Sequence, residues 1–403
     1  MVKGSSARRT TLRRMKHIKV LISGASIAGP ALALWLRRCG HDVTIVEKAP
    51  VLRPGGQAVD FKGAAHLTVL ERMGILEEVR RRQTGGTDVD IVDANGRRVA
   101  VIPGEFTGGD VEIRRGDLSA LLYERTAADC EYVFGDSITS LTETPDGVHV
   151  TFERGAPRVF DLVVGADGIH SNVRRLAFGP ESRYVRYLGY HYALAELDLD
   201  LGFGGGGVMY NEPGRAVSIG GPAASAFFVF ASEQIDYDRY DIEQQKRILV
   251  DAYRDAHWKL PEIIARVPYA RDLYLDSISR VEIDHYAKGR VVLLGDAACG
   301  NTLAGFGTGL AVVGAYVLAG ELMAAGGDHR AAFRKYEEAF RGYAVKVTKN
   351  GNAGAFLAPI TRRRIRMRNR MFQHRFLLRM MLKLTDRFAT DIELEDYPYP
   401  VPR

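Results

Sequence analysis

The sequence is poor in cysteine, and this shortage excludes several classes of protein. Its three cysteines, Cys39, Cys130 and Cys299, are widely separated and form no Cys-x-x-Cys pair. A disulfide-stapled secreted fold or a thiolate metal site needs more cysteines at closer spacing. The sequence therefore predicts free thiols, a reducing cytoplasmic compartment and no metal centre. It also contains no Ser-His-Asp pattern typical of nucleophilic catalysis.

Long uninterrupted apolar stretches are also missing. Glycine or a charged residue breaks each one before it reaches the roughly 18 residues typical of a membrane-spanning helix. The chain has 403 residues, of which 46% are hydrophobic and 26% are charged. This composition predicts one large domain or two closely associated domains with a substantial core, and no stable insertion into a membrane.

Acidic residues are missing from the first 19 positions, which carry seven lysine and arginine residues. The net charge of +6 for the whole chain falls to −1 without those seven charges, so the rest of the chain is close to neutral. The segment has no apolar core of the kind found in a secretory signal. We interpret residues 1–16 as a disordered basic leader. Because it lacks interleaved aromatic residues, no nucleic-acid partner is predicted.

A second basic run, Thr361–Leu384, combines arginines with apolar residues at rough helical spacing. This pattern predicts a helix that packs its apolar side on the body of the protein and exposes a cationic side. Attraction of the cationic side to a membrane surface or to nucleic acid is the weaker alternative. We assign residues 346–403 to a C-terminal helical segment.

The sequence does contain a βαβ pattern near its start. The aliphatic run Val20–Ser23 predicts a buried parallel strand, Ala31–Arg38 predicts a helix, and Asp42–Val46 predicts a second strand. The turn between the first strand and the helix, Gly24–Gly29, reads G-A-S-I-A-G. An acid, Glu47, ends the second strand 23 positions after the first glycine. This spacing is close to that of dinucleotide-binding units.

The turn is a variant of the glycine-rich phosphate loop, because Ser26 stands where a second glycine usually lets the backbone approach a pyrophosphate. Serine is small and can donate a hydrogen bond, and the helix N-terminus still offers N–H groups to an anion. The Glu47 carboxylate favours a ribose 2′-hydroxyl over a 2′-phosphate, and so FAD or NAD over NADP in this loop. A tight turn without a ligand is the alternative. The nucleotide-binding residues predicted in this unit are Gly24, Ala25, Ser26, Ala28, Gly29, Glu47 and Lys48.

Two later segments repeat the order of strand, turn and helix. The first, Asp161–Arg175, has an apolar strand followed by the pair Asp167-Gly168. The second, Lys288–Leu322, has an apolar strand, the pair Gly295-Asp296 and a glycine-rich loop before a long helix. Taken singly, each aspartate is equally compatible with a helix cap.

Together, the three segments resemble the group A flavoprotein monooxygenases of the para-hydroxybenzoate hydroxylase-like superfamily, and the resemblance covers most of Lys16–Leu322. It implies an α/β fold, with a Rossmann-like FAD-binding domain, an inserted antiparallel-sheet substrate domain and C-terminal helices. It also implies that the first loop cradles the FAD pyrophosphate, that Asp167-Gly168 is associated with FAD and the nicotinamide cofactor, and that Gly295-Asp296 holds the ribityl chain and phosphates. The cofactor-binding residues that the resemblance adds are Asp167, Gly168, Gly295, Asp296, Gly305, Gly307, Thr308 and Gly309.

Two further stretches match the family. In Glu112–Glu124, Arg115 best matches an arginine that reaches the flavin, and Arg114 is the near alternative. The glycine-rich stretch Arg53–Gly63, which contains Gln57, is expected beside the isoalloxazine ring.

The loop that follows Gly295-Asp296 departs from the family pattern, because it lacks the proline that many relatives have. It keeps its glycines, so backbone N–H groups can still line the flavin. Cys299 stands where relatives often have histidine or tyrosine. We interpret it as a small buried thiol, with a covalent link to the flavin as the alternative.

The segment between the second and third motifs has the pattern of an antiparallel sheet. The stretches Tyr187–Asp200, Gly207–Gly221 and Ser225–Ser232 predict strands rich in aromatic residues. Because side chains alternate along a strand, Tyr190 and His191 cannot both face a pocket. The residues expected to line an apolar substrate pocket are Tyr190, Tyr192, Tyr210 and Phe228. Packing into the sheet core is the alternative for each ring.

These assignments divide the chain between two domains. The FAD-binding domain is expected to comprise residues 17–75, 100–180 and 280–345. The substrate-binding domain is expected to comprise residues 76–99 and 181–279. A monomer or a homodimer is compatible with this arrangement.

The resemblance implies that NADPH or NADH reduces FAD and that reduced flavin and O₂ form a C4a-hydroperoxide. One oxygen atom then hydroxylates an aromatic or polycyclic small molecule, or oxidises it by Baeyer–Villiger chemistry, as in antibiotic and polyketide tailoring or inactivation. The alternatives are a flavin-dependent halogenase, a prenyl-reductase-like enzyme and a non-catalytic binder of an aromatic ligand. The two tryptophans, Trp35 and Trp258, do not form the W-x-W-x-I-P segment usual in the halogenases.

Overall fold

The structure is a computed structural model. It describes residues 17–53, 56–104, 109–198, 206–220, 226–349, 351–374, 376, 378, 380 and 392–400. The predicted basic leader and the end of the second basic run lie outside the described residues.

Strands and helices are interspersed in the first half of the described chain, and helices dominate the end. The strands are β1 (Lys19–Ser23), β2 (Asp42–Glu47), β3 (Ala58–Phe61), β4 (Val89–Val92), β5 (Arg98–Ile102), β6 (Val111–Arg114), β7 (Glu131–Phe134), β8 (Ile138–Thr144), β9 (Gly147–Phe152), β10 (Arg158–Phe160), β11 (Leu162–Gly165), β12 (Val185–Ala195), β13 (Gly207–Glu212), β14 (Arg215–Ile219), β15 (Ala226–Ala231), β16 (Leu273–Val281), β17 (Ala287–Lys288) and β18 (Val291–Leu293). The helices are α1 (Ala28–Arg38), α2 (Gly63–Met73), α3 (Leu76–Arg81), α4 (Arg115–Glu124), α5 (Asn172–Ala177), α6 (Ile242–Ala252), α7 (Leu260–Ile264), α8 (Asp296–Cys299), α9 (Gly307–Ala324), α10 (His329–Tyr336), α11 (Gly342–Thr348), α12 (Ala353–Leu357) and α13 (Arg362–Gln373).

A six-stranded sheet forms the centre of the nucleotide-binding part, in the order β17-β18-β11-β1-β2-β7. Its neighbouring strands are parallel except for β17 and β18. The central strands are short aliphatic runs with almost every residue buried, as expected for a parallel sheet covered by helices on both faces. This order makes β18, β11 and β1 neighbours, so the three predicted motifs follow adjacent strands at one edge of the sheet.

A seven-stranded sheet, in the order β16-β12-β15-β14-β13-β4-β5, forms the second part. It is antiparallel except for one pair, because β4 lies parallel to β13. The β4–β5 hairpin comes from a separate excursion of the chain, so no short turn forces it to run antiparallel to its neighbour. Strand β5 carries this sheet to Ile102, past the boundary expected at residue 99.

The two faces of this sheet contact different partners. One face packs on α6 and α7, in a core that contains Phe228, Leu249, Tyr253 and Ile263. The opposite face carries a smaller cluster that reaches Ala358 after α12. Since helices seal one face, a ligand between the two sheets meets the other face.

Helix α9 is the most thoroughly buried long helix of the described chain. It has 18 residues and is long and apolar enough, by length and composition alone, to cross a membrane. The glycines within this stretch do not end the helix. We had expected glycine or a charged residue to break each apolar stretch before it reached this length. Nearly all of its residues are buried inside the protein, where it packs against α1, α2 and α10. It has the burial of a core helix.

The C-terminal segment packs on both parts. Helix α13 exposes arginines, as its sequence pattern predicts, but Arg368 is buried and donates to the carbonyl groups of Phe356 and Leu357 and to Asn211. The last described stretch, residues 392–400, lies along the back of the nucleotide-binding part. There Tyr397 donates to Glu321 at 2.7 Å.

Candidate cofactor and substrate site

The first loop is shaped by two glycines that no other residue replaces without a clash. Gly24 has a φ of +109°, and a Cβ atom on it would lie 2.4 Å from the carbonyl oxygen of Ala166. A Cβ atom on Gly29 would lie 2.0 Å from the carbonyl oxygen of Gly24. The Gly24 N–H also donates to Val46 at 2.8 Å. The loop is therefore pressed against both neighbouring strands, with the N-terminus of α1 directly behind it.

The Glu47 carboxylate lies against this loop. One of its oxygens accepts the N–H of Ala25 at 2.9 Å, and the other accepts the N–H of Ala49 at 2.9 Å. Each oxygen keeps a second lone pair for a hydroxyl donor. Lys48, predicted alongside Glu47, extends away from the loop and contacts Tyr240, with its ammonium 2.8 Å from the hydroxyl and 4.2 Å from the ring centre.

Arg115 joins the first loop to the segment that follows β6. Its guanidinium donates to the Ser26 hydroxyl at 3.1 Å, and Ser119, one turn along α4, donates to the Ser26 carbonyl at 2.9 Å. The Arg115 N–H donates to the Gln57 carbonyl at 3.1 Å. The side chain that replaces the usual middle glycine is thus a contact point for a cation, and Gln57 lies beside that cation.

The Asp167 carboxylate is hydrogen-bonded to groups of the protein itself. It accepts hydrogen bonds from the Ser171 hydroxyl, from the Val173 N–H at 3.0 Å and from the Ser23 hydroxyl at 3.3 Å. Burial raises its pKa, and these hydrogen bonds oppose that rise. Gly168, beside it, has a φ of +82° and no atom within 4 Å of a Cβ position. The aspartate holds the turn in place, and the glycine leaves open backbone at the cleft.

The Gly295-Asp296 pair lies next to the first loop. A Cβ atom on Gly295, whose φ is +62°, would lie 3.1 Å from the Cβ of Ala28 and 3.4 Å from that of Ala311. Asp296, the first residue of α8, is exposed between buried neighbours. Enough protein surrounds it that desolvation raises its pKa, and the positive charge of Arg115 opposes that rise.

The loop before α9 leaves backbone exposed at a helix N-terminus. Gly305 has a φ of +90° and open space at its Cβ position, while Gly307, Thr308 and Gly309 form the first turn of the helix. A Cβ atom on Gly309 would lie 2.1 Å from the ring of the buried His66. Burial lowers the pKa of His66 to about 4, so this ring is neutral at pH 7. The helix N-terminus is therefore not masked by a cation behind it.

These features fit a dinucleotide. The cleft offers two helix N-termini, a carboxylate beside the first loop, one guanidinium and left-handed glycines whose absent side chains leave room for a ligand. The donors suit phosphates and the carboxylate suits a ribose hydroxyl.

Tyr192 lies on the face of the seven-stranded sheet that is turned towards this cleft. Arg115 and Asp296 both act electrostatically on its hydroxyl, which places Tyr192 near the two charged groups of the cofactor cleft. Tyr190 shares the face, but its ring is pressed against Gly354 in α12. His191 points the opposite way, as alternation predicts.

Tyr210 and Phe228, also predicted to line the pocket, lie on the face that the helices cover. Tyr210 stacks on Trp258 with ring centres 4.9 Å apart, and Phe228 meets Tyr253 edge to face at 5.4 Å. The structure therefore does not bring these two rings together with Tyr192, because their strands place them at the opposite phase of the alternation.

Two rings that sequence reasoning did not select do lie beside Tyr192. Its ring centre is 6.3 Å from that of Phe227 and 5.9 Å from that of Tyr274. The strand register pairs Tyr192 with Val229 and Asp276. Phe227 and Tyr274 each lie two residues before a paired residue and so share its face, which means that the register would have identified them. A single sequence does not supply that register.

Sequence reasoning also did not select two side chains that follow the Asp167-Gly168 turn. Arg174 is fully buried and donates to the carbonyl groups of Ala297 and Ile169, so it ties this turn to α8. His170 contacts Asp276 in the other sheet at 3.0 Å. Both belong to the run D-G-I-H-S-N-V-R-R over residues 167–175, whose polar residues after the glycine were the available signal.

Cys299 is buried on the far side of α8, where its thiol lies 3.5 Å from the Gly295 carbonyl oxygen. Burial raises the pKa of this thiol. It is thus a protonated core side chain, as we interpreted it from the sequence.

The fold and the cleft define a flavoprotein with a parallel nucleotide-binding sheet and a separate substrate sheet. Residues 17–350 match the FAD binding domain family, and the chain belongs to this family of FAD-dependent aromatic monooxygenases. The predicted family, fold class and FAD-dependent monooxygenase activity are confirmed.

Relatives extend over most of the chain. An uncharacterised protein of Mycobacterium tuberculosis is 41% identical over 338 residues, covering 80% of this chain and 90% of its own length. A flavin-dependent monooxygenase of Legionella longbeachae is 37% identical over 337 residues, covering 81% of this chain and 86% of its own length. The crystal structure of the tetracycline destructase Tet(51) is similar with a TM-score of 0.79 and 29% identity, covering 94% of this chain and 99% of that one.

Proposed function

We propose that this cytoplasmic enzyme uses NADPH or NADH and O₂ to oxidise a planar aromatic or polycyclic small molecule bound between the two sheets, by hydroxylation or Baeyer–Villiger oxidation. The observation that carries the proposal is the convergence of three nucleotide-binding loops under one aromatic sheet face. Asp296 belongs to the third loop, Arg115 contacts the first loop through Ser26, and Tyr192, which both of them influence, belongs to the sheet.

We assign the cofactor contacts from the geometry of the loops. The backbone at Ala25, Ser26, Ala28 and Gly29 would bind the FAD pyrophosphate, and Glu47 would accept the ribose hydroxyl. Asp296, with the first turn of α9, would bind the ribityl chain and the flavin edge. Arg115 and Gln57 would lie beside the flavin ring, and Gly168 and Gly305 would let backbone approach the cofactor closely.

When bound, FAD supplies the redox chemistry that activates O₂ for transfer of one oxygen atom to the substrate. The contribution of the protein is to bind, orient and exclude water. Arg115 provides a fixed positive charge where negative charge on a reduced flavin would be stabilised. The neighbouring rings of Tyr192, Phe227 and Tyr274 present a mainly apolar surface to a planar ligand.

The substrate class is supported by these rings and by similarity. Aromatic side chains pack on planar ligands through offset or edge contacts at ring separations of about 4.5–7 Å. The similar protein Tet(51) is, by its name, a tetracycline destructase, and tetracyclines are polycyclic. Both observations favour a fused-ring substrate over a small aliphatic one.

The decisive experiment measures O₂ uptake by the FAD-loaded protein with NADPH or NADH, across a panel of fused-ring phenols and hydroxyanthraquinones. We expect at least one compound to stimulate O₂ consumption and to gain 16 mass units, the mass of the one oxygen atom transferred. A protein that binds these compounds yet consumes neither reductant nor O₂ would contradict the proposal and favour a non-catalytic binder.

A matched pair of variants tests the cofactor contacts. Glu47→Ala removes a charge-assisted acceptor, so we expect FAD affinity to fall roughly tenfold. Glu131→Ala, on the neighbouring strand β7, removes an exposed carboxylate bound to Arg158 and is expected to leave FAD affinity unchanged. Equal FAD affinities of the two variants would remove our assignment of the ribose contact.

A further inference from the structure

A continuous chain of hydrogen bonds leads away from the aromatic face of the cleft. The Tyr274 hydroxyl donates to one carboxylate oxygen of Asp276 at 2.7 Å. His170 Nε2 lies 3.0 Å from the other oxygen, and His170 Nδ1 lies 2.9 Å from Glu181. The chain crosses from the substrate sheet to the turn that follows β11, so it joins the two parts of the protein.

The partners of His170 fix its charge. Ionised carboxylates only accept hydrogen bonds, so a ring held between Asp276 and Glu181 donates from both nitrogens and is an imidazolium. Burial alone would lower the pKa of His170, but the two carboxylates outweigh this effect and raise it. Burial would raise the pKa of Asp276, but His170 and Tyr274 hold it low. His170, Asp276 and Glu181 together carry a net charge of about −1, and Arg239, 3.9 Å from Glu181, offsets this charge at the far end of the chain.

The two residues at the cleft end of the chain differ in accessibility. Asp276 is only 3% exposed and is held by its protein partners, whereas Tyr274 is 40% exposed. The hydroxyl proton of Tyr274 is directed to Asp276, and the Tyr192 hydroxyl is a second hydrogen-bond partner of the same oxygen. This leaves one lone pair of the Tyr274 oxygen to accept a further hydrogen bond. This arrangement makes the Tyr274 oxygen an acceptor that is backed by negative charge.

We propose that Tyr274 binds the substrate by accepting a hydrogen bond from a phenolic hydroxyl or an amine N–H group. Asp276, fixed by His170, is the positioning residue that orients the Tyr274 hydroxyl. A carboxylate only accepts hydrogen bonds, so it gains no hydrogen bond from an acceptor at this position. The proposal rests on the proposed function, because it names the polar group by which that site selects its aromatic substrate.

Equilibrium binding of three probes with one ring system tests this selectivity. The FAD-loaded protein is titrated with 2-naphthol, 2-methoxynaphthalene and 2-naphthoate, and binding is followed by the change in flavin absorbance. We expect the wild-type protein to bind 2-naphthol roughly tenfold more tightly than 2-methoxynaphthalene, and 2-naphthoate most weakly.

Two variants isolate the hydrogen bond. Tyr274→Phe and Asp276→Asn are each expected to reduce the ratio of 2-naphthol to 2-methoxynaphthalene affinity towards one, with FAD affinity unchanged. The controls Tyr269→Phe and Asp284→Asn alter exposed residues, 82% exposed for the tyrosine and with a 96% exposed side chain for the aspartate, and should keep the wild-type ratio.

Three results would overturn the proposal: no preference for 2-naphthol in the wild-type protein, a ratio that survives in Tyr274→Phe, or a ratio that survives in Asp276→Asn. A purely structural role of Asp276 gives the last result, together with lower thermal stability. Failure of the proposed function is distinguishable, because it abolishes O₂ uptake while the binding ratio persists.

Discussion

The nucleotide loops and the aromatic face of the substrate sheet are built in different ways. At the loops, close contacts between backbone segments set the structure, because a methyl group on Gly24 or Gly29 would collide with a backbone carbonyl oxygen. At the sheet, it is set by which side chains alternate towards the cleft, so that Phe227 faces it and its neighbour Phe228 does not. A site formed by backbone groups requires particular residue types at fixed spacing in the sequence. A site formed by side chains on a sheet depends on which face each side chain points to and on how the strands pair.

The comparison is sharpest between two adjacent rings. Phe228 is fully buried in the core under α6 and α7, so Phe228→Ala should lower the free energy of unfolding by about 3–5 kcal/mol. Phe227→Ala should cost much less stability and should weaken the binding of polycyclic probes. Chemical denaturation and flavin-absorbance titration measure the two effects. Equal stability losses would show that the two faces do not differ as the structure indicates.

A smaller effect on stability tests the backbone-built loop. In Gly29→Ala, the added methyl group meets the Gly24 carbonyl, so we expect a loss of about 1–3 kcal/mol and of FAD retention. Gly342→Ala is the control, because no atom lies within 4 Å of its Cβ position and its backbone is helical. Thermal unfolding and the FAD content of purified protein check the pair. Full FAD content in Gly29→Ala would contradict a close-packed loop.

The smallest effect concerns the contact between the two regions. The carboxylates raise the pKa of His170 above its unfolded value. The stabilisation is therefore fully present below about pH 6.5 and is lost as pH rises through the folded-state pKa. We expect the stability advantage over His170→Gln, about 1 kcal/mol, to shrink as pH rises from 6 to 9. The charged and titratable groups around the ring are Asp276, Glu181, Arg174, Arg239, Tyr274 and Tyr192.

The measured quantity is the difference in unfolding free energy between the wild-type protein and His170→Gln at each pH. Contributions from the buried histidines with lowered pKa are the same in both proteins and cancel; these are His41, His66 and His191. An advantage that is constant from pH 6 to 9 would show that His170 is not charged in the folded protein.

Several elements of the fold were predictable from local patterns. The strand, turn and helix around Gly24 appear within a few residues of their expected bounds, because aliphatic runs and glycines act locally. The serine at position 26 was expected to substitute for glycine through its hydroxyl. The structure adds that this hydroxyl contacts Arg115, 89 residues away.

Other elements were not predictable from one sequence. The parallel pairing of β4 with β13 depends on where a distant hairpin returns. The orientation of Tyr210 depends on which face α7 covers, since alternation gives two faces but does not name the inner one. The link between His170 and Asp276 joins residues 106 positions apart, one in the turn after β11 and the other in strand β16.

The sequence by itself therefore determined the nucleotide-binding half and its cofactor class, because glycine spacing and strand-end acids encode a backbone shape within about 30 residues. Only the tertiary structure decided which aromatic rings and which carboxylate face the cleft between the two sheets. That choice follows from the packing of one sheet between helices and a cleft, and packing of this kind is a property of the assembled chain.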